Sequence, residues 1–306
     1  MIDVPRTRSW GVRLAFLTAA TSGLAVFVND AGVARFDDAT VYTTAKNAVA
    51  ALVLLGLAGA ARRSRAPAPA RPAGSRTALG LLAVGVVGGS IPFVLFFEGL
   101  SRASAPQAAF IHKTLVVWVA LLAIPLLRER LTWPHLAAIG LLVAGQAVLV
   151  GDLGEIGLGS GETMILGATL LWAVEIVIAK RLLRDVGSLA VGTARMGIGL
   201  LVLLGWLAAT GRAGDLVALT AGQWGWAIAT GAILSVYVAS WYAALARAQA
   251  IDVTAVLVFA AVITAALSAV SDGAMPARPQ VLALALITIG AAVAATGLRR
   301  GTREVA

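Results

Sequence analysis

Apolar residues along the chain form ten long runs, separated by short segments that carry most of the charged residues. The runs cover residues 11–29, 39–61, 78–99, 106–127, 134–150, 162–183, 188–209, 222–244, 252–271 and 279–298. A helix rises about 1.5 Å per residue, so roughly 20 apolar residues cross the hydrocarbon core of a bilayer. The pattern therefore predicts an all-α integral membrane protein with ten transmembrane helices.

The composition agrees with this class and excludes several others. Of 306 residues, 59% are hydrophobic and 13% are charged, against roughly 45–50% and 25% in soluble domains. The chain has no cysteine, which excludes disulfides, a thiolate nucleophile and cysteine-ligated metals. Only two histidines are present, His112 and His135. We therefore expect no metal site.

The net charge of +9 comes from basic residues that lie between the apolar runs. This position favours contact with anionic lipid headgroups over binding of nucleic acid. If the amino terminus is cytoplasmic, the inside segments hold 17 lysines and arginines and the outside segments hold 4. The positive-inside rule then predicts a plasma (inner) membrane protein with cytoplasmic tails at 1–10 and 299–306. Residues 62–77, rich in arginine and proline, are predicted to form a basic linker.

The chain also contains an internal repeat. Residues 100–150 slide onto 245–295 without a gap and match at 13 of 51 positions, including Pro134 on Pro279 and Gly145 on Gly290. We expect a first five-helix repeat at 11–150 and a second at 160–298. Because five is odd, the second repeat would begin on the opposite side of the membrane. Inverted repeats of this kind are typical of carriers that open alternately to the two sides.

Several stretches carry a resemblance to a known family. LRERLTWPHLAAIGLLVAGQAVL (127–149) resembles the end of an EamA-type repeat of the drug/metabolite transporter superfamily, and FFEGLSRASAPQAAF (96–110), LWAVEIVIAKRLL (171–183) and WYAALARAQAIDVTA (241–255) look similar to other parts of that repeat. The resemblance implies an exporter-like carrier with a central cavity between two inverted halves and no bound cofactor. The second repeat departs from the family pattern because the turn that follows Gly273 has no acidic residue, which suggests that the two gates differ.

Two lysines lie inside apolar runs, and a buried cation normally faces a cavity or a partner. Lys46 and Lys113 each come seven residues after the predicted outer start of a helix, so both lie about 10 Å below the outer surface. Together they could form an anion site, or they could snorkel or bond to backbone carbonyls in a purely structural role. Tyr42, one turn above Lys46, is a candidate substrate contact.

A second set of charges lies near the inner side. Glu175 and Arg195 are both predicted about 10 Å above the inner surface, where an interhelical ion pair is the simplest arrangement. Breaking this pair could open a gate, with Glu175 accepting a coupling proton. Glu98 is a third gating candidate, although its spacing to Arg102 is also that of an ordinary surface pair.

Rings in the apolar runs supply further candidates. His112 could bind substrate or relay a proton, or it could be a core residue bonded to a neighbour. Trp172 and Trp241, with Tyr237 and Tyr242, could line a pocket, although aromatic residues also collect at membrane interfaces. His135 follows Pro134 at a helix start and is predicted to be interfacial.

These features predict a secondary transporter that exports small organic metabolites, such as amino acids or related anionic or zwitterionic solutes, by alternating access. The alternatives are a membrane-embedded enzyme or lipid-handling protein, and a passive channel. The sequence shows no group of acid, base and nucleophile residues of the kind that would favour an enzyme. The expected partners are a small-molecule solute, membrane lipids and a coupling proton, without nucleic acid, and a homodimer is left open.

Overall fold

The computed structural model describes residues 4–63, 74–100, 102–103, 105–150, 159–273 and 277–300. Most of the predicted basic linker and the end of the carboxyl-terminal tail lie outside these residues. The helices are α1 Val4–Val33, α2 Ala39–Arg63, α3 Ser75–Gly89, α4 Ile91–Leu100, α5 Ala105–Lys113, α6 Leu115–Leu127, α7 Trp133–Val150, α8 Ser160–Leu182, α9 Ser188–Ala209, α10 Ala213–Val217, α11 Ala221–Leu245, α12 Ala250–Leu257, α13 Ala260–Asp272 and α14 Arg278–Arg300.

The predicted all-α membrane fold is confirmed. Within the described residues, nine helical stretches are long and apolar enough to cross a bilayer, and the shorter apolar helix Trp133–Leu149 takes the place of the tenth. Helices suit this environment because all their backbone hydrogen bonds are made within the segment, where lipid offers none. The short α10 joins α9 to α11.

Three of the spans are divided into two helices. In the third span, Ser90 separates α3 from α4, and Pro92 follows closely. Proline lacks the N–H that would bond to Gly88, and it disfavours helical geometry in the residue before it. The fourth and ninth spans divide at Thr114 and at 258–259. These two breaks are equivalent under the 145-residue shift of the sequence repeat.

The same shift relates the ends of the two divided spans. Arg128 after α6 and Gly273 after α13 both adopt the left-handed conformation, with φ of 57° and 62°. A left-handed residue commonly ends a helix, and it is usually glycine. The turns that leave the two spans are therefore built alike.

The contact between α7 and α14 shows how the two halves are related. A Cβ at Gly145 would lie 2.7 Å from Ile287 Cγ1, and one at Gly290 would lie 3.0 Å from Leu142 Cγ. Leu142 and Ile287 are themselves equivalent in the repeat, so the interface is reciprocal, as at a two-fold axis. The residues that meet run in opposite order along the two helices. The helices are therefore antiparallel, as the inverted repeat requires.

The bundle has two ends, named here by their loops. The terminal face contains the start of α1 and the loops 128–132, 183–187 and 246–249, and Gly11 at this end packs against Arg247 and Ala248. The opposite face contains the loops 34–38 and 210–220, which are joined by an ion pair between Asp38 and Arg212 with a distance of 2.6 Å. By the arginine count, the terminal face is the predicted cytoplasmic side.

Candidate functional site

A central cavity of about 260 Å³ lies between the two halves. Its lining side chains come from α1, α2, α4, α5, α6, α8, α9, α11 and α12, so both repeats contribute. They are Ser22, Ala25, Val26, Asn29, Lys46, Phe93, Phe96, Phe97, His112, Lys113, Leu115, Trp172, Glu175, Ile176, Arg195, Thr230, Leu234, Tyr237, Trp241 and Leu257.

Seven of the nine predicted site residues line this one cavity: Lys46, Lys113, His112, Trp172, Trp241, Glu175 and Arg195. They are distant in sequence, and the packing of both halves brings them together. Among the described lining residues there are three basic side chains besides the histidine, and one carboxylate. With all four charged, the cavity has a positive balance. The roles of these residues remain predictions.

Tyr42 and Glu98 are not among the lining residues. Tyr42 is fully buried behind Lys46, and its hydroxyl donates to Asn29 Oδ1 at 2.5 Å. Glu98 Oε2 lies 3.2 Å from Arg102 on the protein surface. Tyr42 therefore contacts Asn29 and Lys46, which line the cavity, without lining it itself. The position of Glu98 fits the ordinary surface pair better than a gate.

Lys46 is held in place by a polar contact and two aromatic rings. Its Nζ donates to Asn29 Oδ1 at 3.2 Å and lies 5.0 Å from the ring centre of Tyr42 and 5.6 Å from that of Phe97. The ring faces attract a cation without neutralising it. The side chain is 7% exposed. The amino group of Lys46 is thus held at the cavity wall by an amide oxygen and two ring faces.

His112 lies within an aromatic group. Its ring centre is 4.9 Å from that of Trp172 and 5.3 Å from that of Phe96, and Trp172 also meets Phe93 edge-on at 5.4 Å. The Nδ1 atom of His112 is buried without a hydrogen-bond partner among the described residues. These rings form an apolar wall that can pack against a solute.

The break at Ser90 helps to hold Trp172 in this wall. Because Pro92 cannot donate to Gly88, the carbonyl oxygen of Gly88 is left without its usual helical partner. The indole Nε1 of Trp172 donates to this oxygen at 3.1 Å. The unpaired Gly88 carbonyl of the first repeat therefore holds the Trp172 ring of the second repeat in place.

The predicted ion pair between Glu175 and Arg195 is not formed in this structure. No nitrogen of the Arg195 guanidinium lies within 4.0 Å of an oxygen of the Glu175 carboxylate. Glu175 is 2% exposed, and its Oε1 instead accepts a hydrogen bond from the Tyr242 hydroxyl at 2.6 Å. The two charged groups still interact through space. Tyr242 is thus a partner of the carboxylate rather than a wall of the cavity.

Gly88 makes room for this arrangement. A Cβ there would lie 2.3 Å from Glu175 Cγ and 3.2 Å from Arg195 Nε. A side chain at this position would have to displace one of the two charged groups. The small residue is therefore required by the site as well as by the close packing of α3 against α9.

At the terminal face, a carboxylate from the first half caps a helix of the second half. Glu129 accepts hydrogen bonds from the backbone amides of Ala250 at 2.7 Å and Ile251 at 3.1 Å. These amides lie at the start of α12, where N–H groups lack helical partners and the helix dipole favours negative charge. Burial raises the pKa of Glu129 above its ordinary value, although the two amides and Lys180 oppose this rise.

A buried histidine makes a second connection between the halves. His135 Nδ1 accepts the backbone amide hydrogen of Thr132 at 3.0 Å, and its Nε2 lies 2.8 Å from Asp252 Oδ1. With Nδ1 used as an acceptor, Nε2 carries the proton that points to Asp252. His135 and Asp252 are 5% and 0% exposed. His135 lies at the start of α7 in the terminal face, and the pairing with α12 buries it within the protein there. Its predicted position at the membrane interface stays a prediction.

Two further basic side chains complete this layer, which we call the latch: Glu129, His135, Lys180, Arg181 and Asp252. Lys180 Nζ donates to the carbonyl oxygens of Leu245 and Ala248. Arg181 donates to Leu126 O at 2.8 Å. These contacts join loop 128–132 and the ends of α6, α8 and α11. The latch therefore cross-links the terminal face through polar contacts.

Sequence reasoning missed Asn29, Gly88 and the latch. The sequence did distinguish Glu129, because the equivalent residue of the second repeat is Ala274. The hydrogen bond between His135 and Asp252 joins residues 117 positions apart, so no local sequence pattern could predict it.

Comparisons with known proteins agree with this architecture. The sequence model described as the EamA-like transporter family matches the chain twice, over residues 9–151 and 159–296. Among solved structures 29 chains match. One crystal structure of a protein gives a TM-score of 0.75 at 19% identity and covers 95% of this chain and 98% of that chain, a likeness that shows the fold alone. No curated protein matches the chain.

Proposed function

The chain belongs to the EamA-like transporter family, and from this membership we propose that it is a secondary carrier that exports small organic solutes bearing a carboxylate or phosphate group. The family makes it a multi-pass membrane transporter of the drug/metabolite transporter superfamily. Amino acids and related zwitterionic or anionic metabolites are the proposed solutes. The proposed location is the plasma (inner) membrane, with both termini and the terminal face on the cytoplasmic side.

The charge of the central cavity is the observation that supports this solute class most strongly. Lys46, Lys113 and Arg195 line it with Glu175 as the one carboxylate among the described lining residues. Burying unbalanced positive charge is costly in a membrane unless an anion arrives to share the site. A solute with an anionic group therefore gains more from this cavity than a cationic solute does.

The size and walls of the cavity limit the solute further. A volume of about 260 Å³ is below the range of about 300–1,000 Å³ typical for drug-sized ligands. Most of the wall beyond the charges is aromatic or aliphatic. A compact metabolite with one charged end and a short apolar body fits this description.

The architecture supports alternating access over a passive channel. The two halves are inverted and related by the reciprocal contact of α7 and α14, an arrangement that provides two equivalent states of opposite opening. In this state the latch closes the terminal face. A channel needs a continuous path rather than a wall of inter-half bonds beneath its binding site. The lining residues also lack an activated nucleophile, which disfavours the enzyme alternative.

Counterflow in proteoliposomes tests the proposal. Vesicles containing the purified protein are preloaded with one unlabelled solute from a panel of amino acids, organic acids and cationic drugs, and uptake of the labelled solute is followed. We expect counterflow of zwitterionic or anionic members only. Lys46→Ala and Lys113→Ala should each reduce it by about tenfold or more, since each removes one charge contact to the solute.

Arg102→Ala is the matched control, because it removes an exposed cation outside the cavity. It should leave counterflow unchanged. Selective counterflow of cationic drugs, or wild-type rates for both lysine variants, would contradict the proposed solute class.

Coupling to protons is a separate part of the proposal. Glu175 and His112 both line the cavity and are the candidate proton carriers. We expect an imposed pH gradient to drive solute accumulation, and Glu175→Gln or His112→Gln to abolish that response while counterflow persists. Solute accumulation that does not respond to the pH gradient would contradict proton coupling but would leave the carrier function standing.

A further inference from the structure

The guanidinium of Arg195 has no hydrogen-bond partner among the described residues. Its side chain is 6% exposed and lines the cavity, and its Nε is sealed without an acceptor. The nearest ring is that of Phe93, 5.8 Å from Cζ. A guanidinium has five N–H donors, and leaving them unused in a buried site is costly. Lys180, by comparison, donates to two carbonyl oxygens.

The neighbouring carboxylate does not satisfy Arg195, and the structure shows why. The Tyr242 hydroxyl donates to Glu175 Oε1 at 2.6 Å, so one carboxylate oxygen is bound to a residue that is not among the cavity's lining residues. The carboxylate and the guanidinium both lie close to Gly88 without forming an ion pair. The donors of Arg195 are thus left for another acceptor.

The position of Arg195 is equivalent to that of Lys46 in the other half. Arg195 comes seven residues after the start of α9 at the terminal face, and Lys46 comes seven residues after the start of α2 at the opposite face. At about 1.5 Å per residue, each lies about 10 Å from its own face. The cavity therefore has Lys46 toward the opposite face and Arg195 toward the terminal face.

We propose that Arg195 is a second anion-binding residue of the cavity, which receives the carboxylate or phosphate of the solute on the terminal side, and that Tyr242 is a positioning residue that holds the Glu175 carboxylate out of direct contact with the guanidinium. This rests on the proposed function for its solute class. The sequence alone had assigned Arg195 to a gate paired with Glu175. Its planar fork suits bidentate binding of a carboxylate or phosphate better than a lysine does.

The natural absence of cysteine permits a test that needs no knowledge of the solute. A single cysteine is introduced on the cavity wall as Ser22→Cys, with Thr230→Cys as a second, independent reporter. Purified protein in detergent is treated with an anionic methanethiosulfonate reagent carrying a sulfonate, and separately with a cationic one carrying a trimethylammonium group. The ratio of the two reaction rates measures the electrostatic potential in the cavity.

Five variants are compared in each reporter background. Arg195→Gln should lower the anionic-to-cationic rate ratio by about tenfold, since a nearby full charge in a cavity of low dielectric acts strongly. Arg195→Lys should largely retain the ratio. Tyr242→Phe should also lower it, because the released carboxylate can pair with Arg195. The double variant Tyr242→Phe with Glu175→Gln is read against Glu175→Gln alone and should match it, because the tyrosine acts only through the carboxylate; a merely structural tyrosine would lower the ratio in both backgrounds.

Arg102→Gln serves as the control for loss of a cation outside the cavity. An unchanged ratio in Arg195→Gln in both reporters would overturn the anion-binding role. Equal loss in Tyr242→Phe with and without Glu175→Gln would overturn the positioning role. These rates do not depend on counterflow, so this inference can stand if the proposed solute class fails, and it can fail while transport persists.

Discussion

Residues 128–135 and 273–280 hold equivalent positions in the two halves and begin alike, with a left-handed residue after a divided span and a proline six residues later. Their partners differ. The first segment supplies Glu129 and His135, which bond to α12 of the other half. In the described part of the second segment, the Ala277 amide bonds only locally, to Gln280. The two segments thus each leave their helix with a left-handed residue. The first then bonds to the other half, and the described part of the second caps only its own helix.

This difference teaches how an inverted repeat can favour one state. Two identical halves would give two faces of equal stability. Under the proposed alternating access, acidic and imidazole groups placed in one segment alone would stabilise the terminal face in a closed form, and that bias would have to be overcome when the carrier opens to this side. The bias amounts to a differential set of contacts between two states, which is what shifts their populations.

Removing Asp252 is the largest expected disturbance of this difference. Asp252→Ala leaves His135 buried without its partner and should cost about 3 kcal/mol of stability in the closed state. We expect a lower unfolding temperature in detergent and greater labelling of Ser22→Cys from the terminal face in sealed vesicles. Asp252→Asn, which keeps an oxygen acceptor for Nε2, is the matched control and should lie much closer to the parent. Parent-like labelling in Asp252→Ala would remove the latch from the mechanism.

Glu129 provides the next largest effect. Glu129→Ala leaves the first amides of α12 uncapped and should cost about 1–2 kcal/mol, read from the unfolding temperature. Glu129→Gln retains an oxygen acceptor and should lose less. If the two variants were equally destabilised, charge rather than capping would explain the contribution. No loss in either would mean that the cap contributes little.

The ion pair at the opposite face sharpens the comparison through pH. Asp38 caps α2 by accepting from the amides of Thr40 at 2.7 Å and Val41 at 2.9 Å, and it pairs with Arg212. Burial alone would raise the pKa of Asp38, but these hydrogen bonds and the Arg212 charge lower it below its ordinary value. Its stabilising contribution is therefore present above the unfolded-state pKa and is lost as pH falls through the lower folded-state pKa.

Asp38→Asn should retain the cap but lose this acid-sensitive contribution, and Asp38→Ala should cost about 1 kcal/mol in addition. Unfolding temperatures measured between pH 7 and pH 3 would separate the two effects. A parent-like acid dependence in Asp38→Asn would show that Asp38 does not titrate as described.

The smallest expected effect concerns the two left-handed turns. Gly273→Ala places a Cβ at φ 62° and should cost about 1 kcal/mol. Arg128→Gly relieves the same strain in the first half but loosens the unfolded chain, so it should change stability by less than about 1 kcal/mol. Equal and opposite shifts of unfolding temperature in the two variants would contradict this difference.

The fold was largely predictable because membrane thickness fixes the length of each apolar run, and the repeat fixes the relation of the halves. The breaks at Thr114 and at 258–259 were not, because neither site carries a proline or glycine. Lys46 and Arg195 could be singled out since a charge inside an apolar run is costly. Their surroundings could not, because Tyr242 meets Glu175 across 67 positions of sequence, and only packing decides such contacts.

Access to the cavity from each side tests the central claim most directly. Ser22→Cys in otherwise unchanged protein is labelled in sealed vesicles with a membrane-impermeant maleimide added from one side or the other. Alternating access predicts labelling from both sides, slower from the latched terminal face and faster there in Asp252→Ala. Labelling from one side only, in the parent and the latch variant alike, would contradict a cavity that opens in turn to each face.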